Sequence, residues 1–450
     1  MISESTIQNF RSTLGCQSFC PGEEGYDTFR KIHNASIDRK PAIIVRCTAT
    51  ADVISCVRFA RQQEMVVSVR GGGHSIAGKS VCDSGLMIDL SAMKGIHVQP
   101  DKRTVRAQAG LTLGEFDRET QAFGLATTMG VVSKTGIAGL TLGGGIGHLV
   151  RKHGLACDNL ISSEMVTADG ELLTANSTQN QDLFWGLRGG GGNFGIVTSF
   201  EYRLHEVGPS VFAGGILYPV EKTAEVLRFY REFTSACPDE LSLQALTLTI
   251  PELGRVVAIG GCYCGPLEDG EKVLQPLRSF GSPAADLFAS MPYVQLQSMF
   301  DPLFPPGRHY YTKANFLTQL TDEAIEVFAE YATAPSTYSA AAIEHLHGAV
   351  RRVDVNETAF PHRQFPYNFS IWSGWSDQAE SERNIQWTRD FFDAMRPSMA
   401  HAVYVNYLEE EGDPLSREAY GQNYKRLASL KTKYDPTNFF RMNHNIRPLQ

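Results

Sequence analysis

A single histidine, His74, stands directly after three glycines in the stretch VRGGGHS at residues 69–75. A neutral imidazole is nucleophilic and can also transfer a proton. Glycines let the backbone turn tightly and approach a ligand closely. The stretch therefore predicts a loop at which a reactive ring meets a bound molecule, and the alternative is a loop histidine that only caps a backbone carbonyl.

Two further glycine clusters, GIAGLTLGGGIGHL at 136–149 and LRGGGGNFGIV at 187–197, lie beside apolar segments. Each alone could be a tight turn or a site of close packing, but exposed N–H groups in such loops also form anion sites that suit a diphosphate. The chain has no GxxxxGK(S/T), which argues against nucleotide hydrolysis. The segment GGGIG fits the nicotinamide fingerprint poorly, because the expected strand, turn and acid are out of place. Several loops around one dinucleotide favour a flavin nucleotide.

Alternating strand-like and helix-like segments must position these loops. PAIIVRC (41–47) and VVSVR (66–70) read as strands, and the residues after Thr50 have apolar positions at helical spacing. The segment 164–175 reads as a hairpin with Asp169-Gly170 at its turn. This pattern predicts an α+β protein with short βα units.

The glycine clusters stop near residue 207, where strands such as LSLQALTLTI alternate with helices such as EKTAEVLRFYREFT. A second domain with a sheet covered by helices is expected there. The final stretch returns to a helix and a turn-rich tail. We therefore predict a first domain over 1–206, a substrate domain over 207–403 and a return to the first domain over 404–450.

Composition narrows the class of protein. A length of 450 residues predicts more than one domain, and a net charge of −8 argues against nucleic-acid or anionic-membrane partners. No apolar run has the length of a membrane span, and the N-terminus lacks an apolar signal core. The nine cysteines show no zinc-binding spacing. A cytoplasmic protein, monomeric or homodimeric, with no metal site is expected.

Four motifs together carry a family resemblance: RGGGHS, GIAGLTLGGGIGHLVRKHGLACDNL, WGLRGGGGNFGIV and the tail YDPTNFFRMNHNI. They resemble the berberine-bridge-enzyme-like FAD-linked oxidases, within the vanillyl-alcohol-oxidase and p-cresol-methylhydroxylase flavoproteins. The likeness runs in order from about Pro21 to Pro448. It implies a PCMH-type FAD-binding domain of two α/β subdomains, with an inserted antiparallel sheet that roofs the flavin ring and is covered by helices.

The resemblance implies that FAD is bound covalently through His74, because the family histidine of this motif is joined to the flavin 8α-methyl group. Many relatives carry a second, cysteinyl link, but that position is Val132 here, so only a single tether is expected. Cys157 is displaced from it and is expected to be a buried structural thiol. The implied cofactor-binding residues are Arg70, Gly71, Gly72, Gly73, Ser75, Gly136, Gly139, Gly143, Gly144, Gly145, Gly147, Asp158, Asn159, Ile196, Val197, Asn443 and Asn445.

The family strand with an active-site tyrosine matches YVNYL, so Tyr404 and Tyr407 are candidate catalytic residues. In a strand they would face opposite sides, so only one would meet the substrate. A tyrosinate whose pKa is lowered by a nearby cation would act as the base. The alternative for each is a packed aromatic ring with a satisfied hydroxyl.

Ser370 stands where several relatives carry a carboxylate or amide, and a serine cannot act as the base. We expect His309, Tyr311 and Ser370 to line the substrate pocket. His345 and His347 could form a metal pair, but without a third ligand a structural role is favoured.

The resemblance implies an oxidase that removes a hydride from a small organic substrate and reduces molecular oxygen to hydrogen peroxide. The substrates of the family include secondary metabolites, amines, alcohols and sugars, and the aromatic middle domain favours a hydrophobic, ring-bearing molecule. Two alternatives stay open. One is a dehydrogenase with another electron acceptor, and the other is a flavin-carrying scaffold without turnover.

Overall fold

A computed structural model describes residues 3–409 and 413–449. The N-terminal segment forms a four-stranded sheet in the order β1-β2-β4-β3, with β1 antiparallel to β2 and the other pairs parallel. Its elements are α1 (Glu4–Ser12), β1 (Gln17–Phe19), α2 (Tyr26–Arg30), β2 (Ile43–Arg46), α3 (Thr50–Gln62), β3 (Val67–Arg70) and β4 (Leu86–Asp89). The loop RGGGHS leaves the carboxyl end of β3.

A second, antiparallel sheet follows in the order β5-β6-β10-β8-β9. The elements of this part are β5 (Ile96–Gln99), β6 (Thr104–Gln108), α4 (Leu113–Gln121), β7 (Leu125–Ala126), α5 (Ile137–Leu142), α6 (Val150–His153), β8 (Leu160–Val166), β9 (Leu172–Asn176), α7 (Gln181–Leu187), β10 (Ile196–Arg203) and β11 (His205–Glu206). The predicted hairpin is β8–β9, and Gly170 takes a positive φ of 73° in its turn.

An eight-stranded antiparallel sheet occupies residues 210–375. Its strands and the helices of this region are β12 (Ser210–Pro219), α8 (Thr223–Thr234), β13 (Leu241–Ile250), β14 (Gly254–Tyr263), α9 (Leu267–Arg278), β15 (Ala285–Asp286), β16 (Ala289–Pro292), α10 (Tyr293–Gln297), β17 (His309–Leu317), α11 (Asp322–Glu330), β18 (Ala340–His345), α12 (Ala349–Arg352), β19 (Tyr367–Trp375) and α13 (Ser381–Met395). Strand alternation buries Ala245, Ile343 and Phe369 with the helices on one face. The other face is left for the cavity described below.

The C-terminal segment contains a 3₁₀ turn over Val405–Tyr407 and the helices α14 (Asp413–Tyr420) and α15 (Tyr424–Tyr434). Its apolar residues belong to the same hydrophobic core as the N-terminal sheets. The buried Lys431 donates to the carbonyls of Asn193 and Phe440 at 2.7 and 2.9 Å, and pairs with Asp435 at 2.6 Å. The tail is thereby anchored to the third glycine cluster.

The α+β architecture is as expected, while the exact domain boundaries at 206/207 and 403/404 stay predictions. None of the helices within the described ranges combines the length and apolarity needed to cross a bilayer.

Candidate active site

A large cavity separates the three glycine loops from the eight-stranded sheet. The loop side is lined by Gly71, Gly72, Gly73, His74, Ser75, Gly136, Gly139, Gly191, Gly192, Gly195, Ile196 and Val197. The sheet side is lined by Gln244, Leu246, Tyr310, Ala340, Ala342, Glu344, Ser370 and Trp372. Tyr404, Asn406, Tyr407 and Asn443 of the C-terminal segment also line it. Residues far apart in the chain thus meet at one site.

Strand alternation creates the sheet side of the cavity. On β18, Ala341 and Ile343 pack under the helices, whereas Ala340, Ala342 and Glu344 line the cavity. Strands β13 and β19 alternate in the same way. Alternate residues of these three strands therefore face the cavity and are available to a bound molecule.

The first two glycine loops touch through their backbones. A Cβ on Gly72 would stand 2.3 Å from the nitrogen of Gly136 and 2.6 Å from its Cα, which no side chain could tolerate. Gly73 has a positive φ of 68°, which favours glycine at the residue before His74. The glycines therefore permit both the contact and the turn.

His74 is partly buried, and its Nε2, which is shielded from solvent, has no hydrogen-bond partner. Burial, with a smaller effect of His33, lowers the pKa of His74 to about 3. The ring is therefore neutral at physiological pH and keeps a nucleophilic lone pair. The ring of His33 lies 3.9 Å away between centroids.

The cavity wall fits FAD in its polar chemistry. Besides His74, the side-chain oxygens of Ser80 and Asn443 are buried without partners, and both residues line the cavity. Buried polar atoms of this kind require a partner, and a nucleotide carries many donors and acceptors. Bare backbone from three glycine loops adds the setting that a diphosphate prefers. Ser80 was not identified from the sequence.

The segment YVNYL is a 3₁₀ turn, not the strand that the motif predicts. Residues three apart lie on the same side of such a turn, so Tyr404 and Tyr407 both line the cavity, with ring centroids 4.8 Å apart. Burial raises the pKa of both tyrosines, so the expectation of a lowered pKa is wrong. The Tyr404 hydroxyl accepts hydrogen bonds from the N–H of Gly145 and the amide of Asn406, at 2.9 and 2.8 Å.

Glu344 is the acidic group that sequence reasoning missed. Its carboxylate accepts a hydrogen bond of 2.6 Å from Asn368 and one of 3.4 Å from the Tyr407 hydroxyl. Burial raises the pKa of Glu344 to about 7. The available signal was a single acid that alternates with Ala340 and Ala342 in the apolar strand AAAIEH.

Ser370 lines the cavity, as predicted, with its hydroxyl accepting a hydrogen bond of 3.1 Å from the indole of Trp372. Trp372 packs edge-on against Tyr407, with ring centroids 4.7 Å apart. In the sheet register, Ser370 pairs with Ala342, and Glu344 lies two residues further along β18, where it pairs with Asn368. A carboxylate therefore lines the cavity near Ser370, on the neighbouring strand.

His309 and Tyr311 do not line the cavity, contrary to the prediction, while Tyr310 between them does. Alternation along β17 turns the two outward. His309 lies 3.1 Å from the Ser36 hydroxyl, and Tyr311 accepts a hydrogen bond of 3.4 Å from Arg389.

Several predicted cofactor residues lie behind the cavity wall and do not line it: Arg70, Gly143, Gly144, Gly145, Gly147, Asp158, Asn159 and Asn445. The guanidinium of Arg70 donates to the carbonyl of Phe29 at 2.6 Å. A Cβ on Gly143 would stand 2.0 Å from the Asn406 side chain, and one on Gly147 would stand 2.5 Å from a backbone oxygen. These glycines permit close packing behind the cavity, and their contact with the diphosphate stays a prediction.

Asp158 and Asn159 make contacts within the protein: Asp158 with a distant side chain, and Asn159 with the backbone of the preceding turn. Asp158 forms a buried two-pronged ion pair with Arg363, at 2.6 and 3.0 Å. Asn159 donates to the carbonyls of His153 and Leu155 at 2.9 Å. The side-chain oxygen of Asn445 is buried without a partner, although the residue does not line the cavity.

Val132 lines the cavity, whereas Cys157 is fully buried and burial raises its pKa. Of the two histidines weighed as a metal pair, His345 accepts a hydrogen bond from Arg151, and its ring centroid is 5.1 Å from that of His347. Among the described residues, no three His, Cys, Asp or Glu side chains are grouped to hold a metal ion.

Two family models match the chain, one described as FAD binding domain over residues 41–176 and one as Berberine and berberine like over 403–447. Fold and cavity together define an FAD-binding oxidoreductase. An FAD-linked oxidoreductase of Dictyostelium discoideum is 37% identical over 450 residues, covering 99% of this chain and 97% of the relative. The chain belongs to the family of berberine-bridge-enzyme-like FAD-linked oxidoreductases.

Solved structures agree in fold. The 6-hydroxy-D-nicotine oxidase of Arthrobacter nicotinovorans superimposes with a TM-score of 0.90 at 27% identity, covering 97% of this chain and 99% of that one. A glucooligosaccharide oxidase of Acremonium strictum gives 0.89 at 23% identity, covering 99% and 98%. The second likeness shows the fold alone.

Proposed function

We propose that this protein is an oxidase with a single covalent tether between FAD and His74, acting on a small, ring-bearing organic substrate. The observation that carries the proposal is the buried pair of Glu344 and Tyr407 on the cavity wall. FAD, when bound, supplies the acceptor for a hydride taken from carbon and passes the electrons to molecular oxygen, which yields hydrogen peroxide.

Glu344 and Tyr407 act as the proton acceptor. The Tyr407 hydroxyl donates to the Glu344 carboxylate. When the hydroxyl oxygen of Tyr407 takes the proton of a substrate O–H or N–H group, its own proton moves to Glu344. A carboxylate with a pKa of about 7 can accept this proton near neutral pH. Asn368 holds the other carboxylate oxygen in place.

Apolar side chains fix the class of substrate. Leu246 and Trp372 of the sheet, together with Phe300 and Leu303, line the same cavity as Glu344. Such a wall favours a flat, hydrophobic substrate with one hydroxyl or amine group near Glu344. It offers few hydrogen-bond partners to the many hydroxyls of an oligosaccharide. The relative named 6-hydroxy-D-nicotine oxidase is consistent with a substrate of this kind.

The tether is tested by acid precipitation of the purified protein. The flavin should stay with the wild-type pellet and be released from His74→Ala. Release from the wild type contradicts the tether, and retention in both shows that another residue holds the flavin. A colourless wild type contradicts the whole proposal.

The activity is tested with a panel of phenols, ring-bearing alcohols, cyclic amines and oligosaccharides in the absence of air. Bleaching of the flavin by a ring-bearing compound supports the proposal, and bleaching by oligosaccharides alone contradicts the substrate class. A protein that no compound bleaches would be the flavin-carrying scaffold. Admission of air then separates an oxidase, which recovers its colour rapidly, from a dehydrogenase, which recovers slowly.

A further inference from the structure

Three aromatic rings pack in series at the edge of the cavity, with His33 stacked on Tyr310 and tilted against His74. The ring centroid of His33 lies 3.9 Å from that of His74, with 31° between the planes. The His33 centroid also lies 4.9 Å from the ring centroid of Tyr310, with 20° between the planes. His33 is therefore in contact both with His74, the proposed tether, and with strand β17 of the eight-stranded sheet.

The backbone holds His33 in register with both neighbours. Its N–H donates to the carbonyl of Gly73 at 2.9 Å, and its carbonyl accepts from the N–H of Gly307 at 3.0 Å. The next side chain, Asn34, donates to the carbonyls of Ile76 and Tyr310, at 2.9 and 3.1 Å. Residues 33–34 therefore bridge the glycine loop and strand β17 on both sides of His74.

Burial keeps both histidines uncharged. The pKa of His33 is lowered to about 4, since its side chain is desolvated. Two neutral rings can stack without charge repulsion, and a neutral His74 keeps its lone pair. The Nε2 of His74 has no other partner, so no side-chain hydrogen bond to that atom fixes the ring plane.

We propose that His33 is a positioning residue for covalent flavin attachment, and that its stacked ring holds the His74 imidazole in the orientation needed for bond formation. This inference rests on the proposed tether. Formation of the bond between the imidazole nitrogen and the flavin 8α carbon removes one proton from each group. The two electrons pass to the flavin ring and then to molecular oxygen.

Two substitutions separate the stack from other effects. His33→Leu keeps a side chain of similar volume but has no ring, whereas His33→Phe restores a flat ring without nitrogens. The matched control is His153→Leu, which breaks the His153–His205 stack of 3.8 Å at a residue that does not line the cavity. For each purified protein, total flavin is measured by absorbance and covalent flavin by retention in the acid pellet.

We expect His33→Leu to bind flavin while the covalent fraction falls by about tenfold or more, since a displacement of roughly 1 Å can cost about 10²-fold in rate. His33→Phe and the control should keep the wild-type fraction. A wild-type covalent fraction in His33→Leu overturns the inference. So does an equal loss in His33→Phe, because the ring would then not be what matters.

If His33→Leu binds no flavin, the His33→Phe variant still tests the proposal, because a positioning role of the ring predicts a wild-type covalent fraction in that variant. Failure of the tether itself is recognised separately. In that case the wild type would release its flavin in acid, whatever residue 33 is.

Discussion

The Tyr407 hydroxyl lies 3.4 Å from a carboxylate oxygen of Glu344, inside the cavity between the glycine loops and the sheet. The two residues are 63 positions apart in the chain, on a strand and on a 3₁₀ turn. Burial favours the protonated form of this acid, and a rise in pH through about 7 leaves the carboxylate that can accept a proton. The pair is therefore placed to control proton transfer.

Glu344→Gln should lower kcat by about 10²–10⁴-fold, the usual contribution of a general base. The amide keeps the shape of the side chain but cannot take a proton. Stopped-flow bleaching of the flavin without air measures the affected step. The matched control is Glu326→Gln, an exposed glutamate paired with Arg228 in the same region. Unchanged bleaching in Glu344→Gln would rule out Glu344 as the proton acceptor.

The pH dependence should report Glu344. Its pKa is raised from 4.5 to about 7, so below pH 7 the carboxyl is protonated and kcat/KM should fall about tenfold for each pH unit. Stability should change in the opposite sense. The protonated form is favoured by the fold, so this group contributes stability below pH 4.5 that is lost as the pH rises through about 7. Thermal melts and kinetics of Glu344→Gln should lose both trends.

The two tyrosines should separate into different roles. Tyr407→Phe removes the relay hydroxyl and should lower kcat by about 10²-fold or more, with little effect on stability. Tyr404→Phe removes the acceptor for the Gly145 N–H and should cost about 1 kcal/mol of stability with a smaller effect on kcat. Chemical denaturation and kinetics of both variants test this. The reverse pattern would show that Tyr404 is the catalytic tyrosine.

A cysteine at Val132 should be able to form a second tether. Val132 lines the cavity, and the family resemblance puts the linking cysteine of related enzymes at this position. In the His74→Ala background, Val132→Cys should restore retention of flavin in the acid pellet. The neighbouring Val131→Cys, which also lines the cavity, is the control and should not. If the acid pellet retains flavin in neither the Val132→Cys nor the Val131→Cys variant, residue 132 is out of reach of the flavin.

Gly72→Ala should disrupt the contact between two glycine loops. Its Cβ would stand 2.3 Å from the backbone nitrogen of Gly136. Backbone atoms cannot rotate away from such a contact as a flexible side chain can. We expect a loss of about 1–3 kcal/mol and of flavin occupancy. Gly15→Ala is the control, because a Cβ there meets no atom within 4 Å. Normal melting and a full flavin content in Gly72→Ala would contradict the predicted clash.

Much of the fold could be predicted because its signals are local. The βα units, the β8–β9 hairpin and the long strands of the sheet all follow from apolar spacing and turn residues over a few positions. The α+β class and the family are confirmed. The glycine clusters also indicated a nucleotide site, because three loops with exposed backbone N–H groups in one domain suit a diphosphate.

The predictions that were wrong concern the directions of side chains. The motif YVNYL was read as a strand, but its residues form a 3₁₀ turn that places both tyrosines on one side. His309 and Tyr311 were placed in the pocket, whereas their neighbour Tyr310 lines it. In both cases the segment was identified correctly, but the directions of its side chains were not. A shift of one position in a strand reverses the face.

The sequence by itself determined the class of fold, the FAD cofactor and the glycine loop that carries His74, because these depend on residue types within single motifs. The tertiary structure alone decided which residues line the cavity together with that histidine. His33 comes from the N-terminal segment, Tyr310 and Glu344 from the inserted sheet and Tyr407 from the tail. No local pattern encodes these contacts, since they arise only when the strands and loops that carry them are packed together.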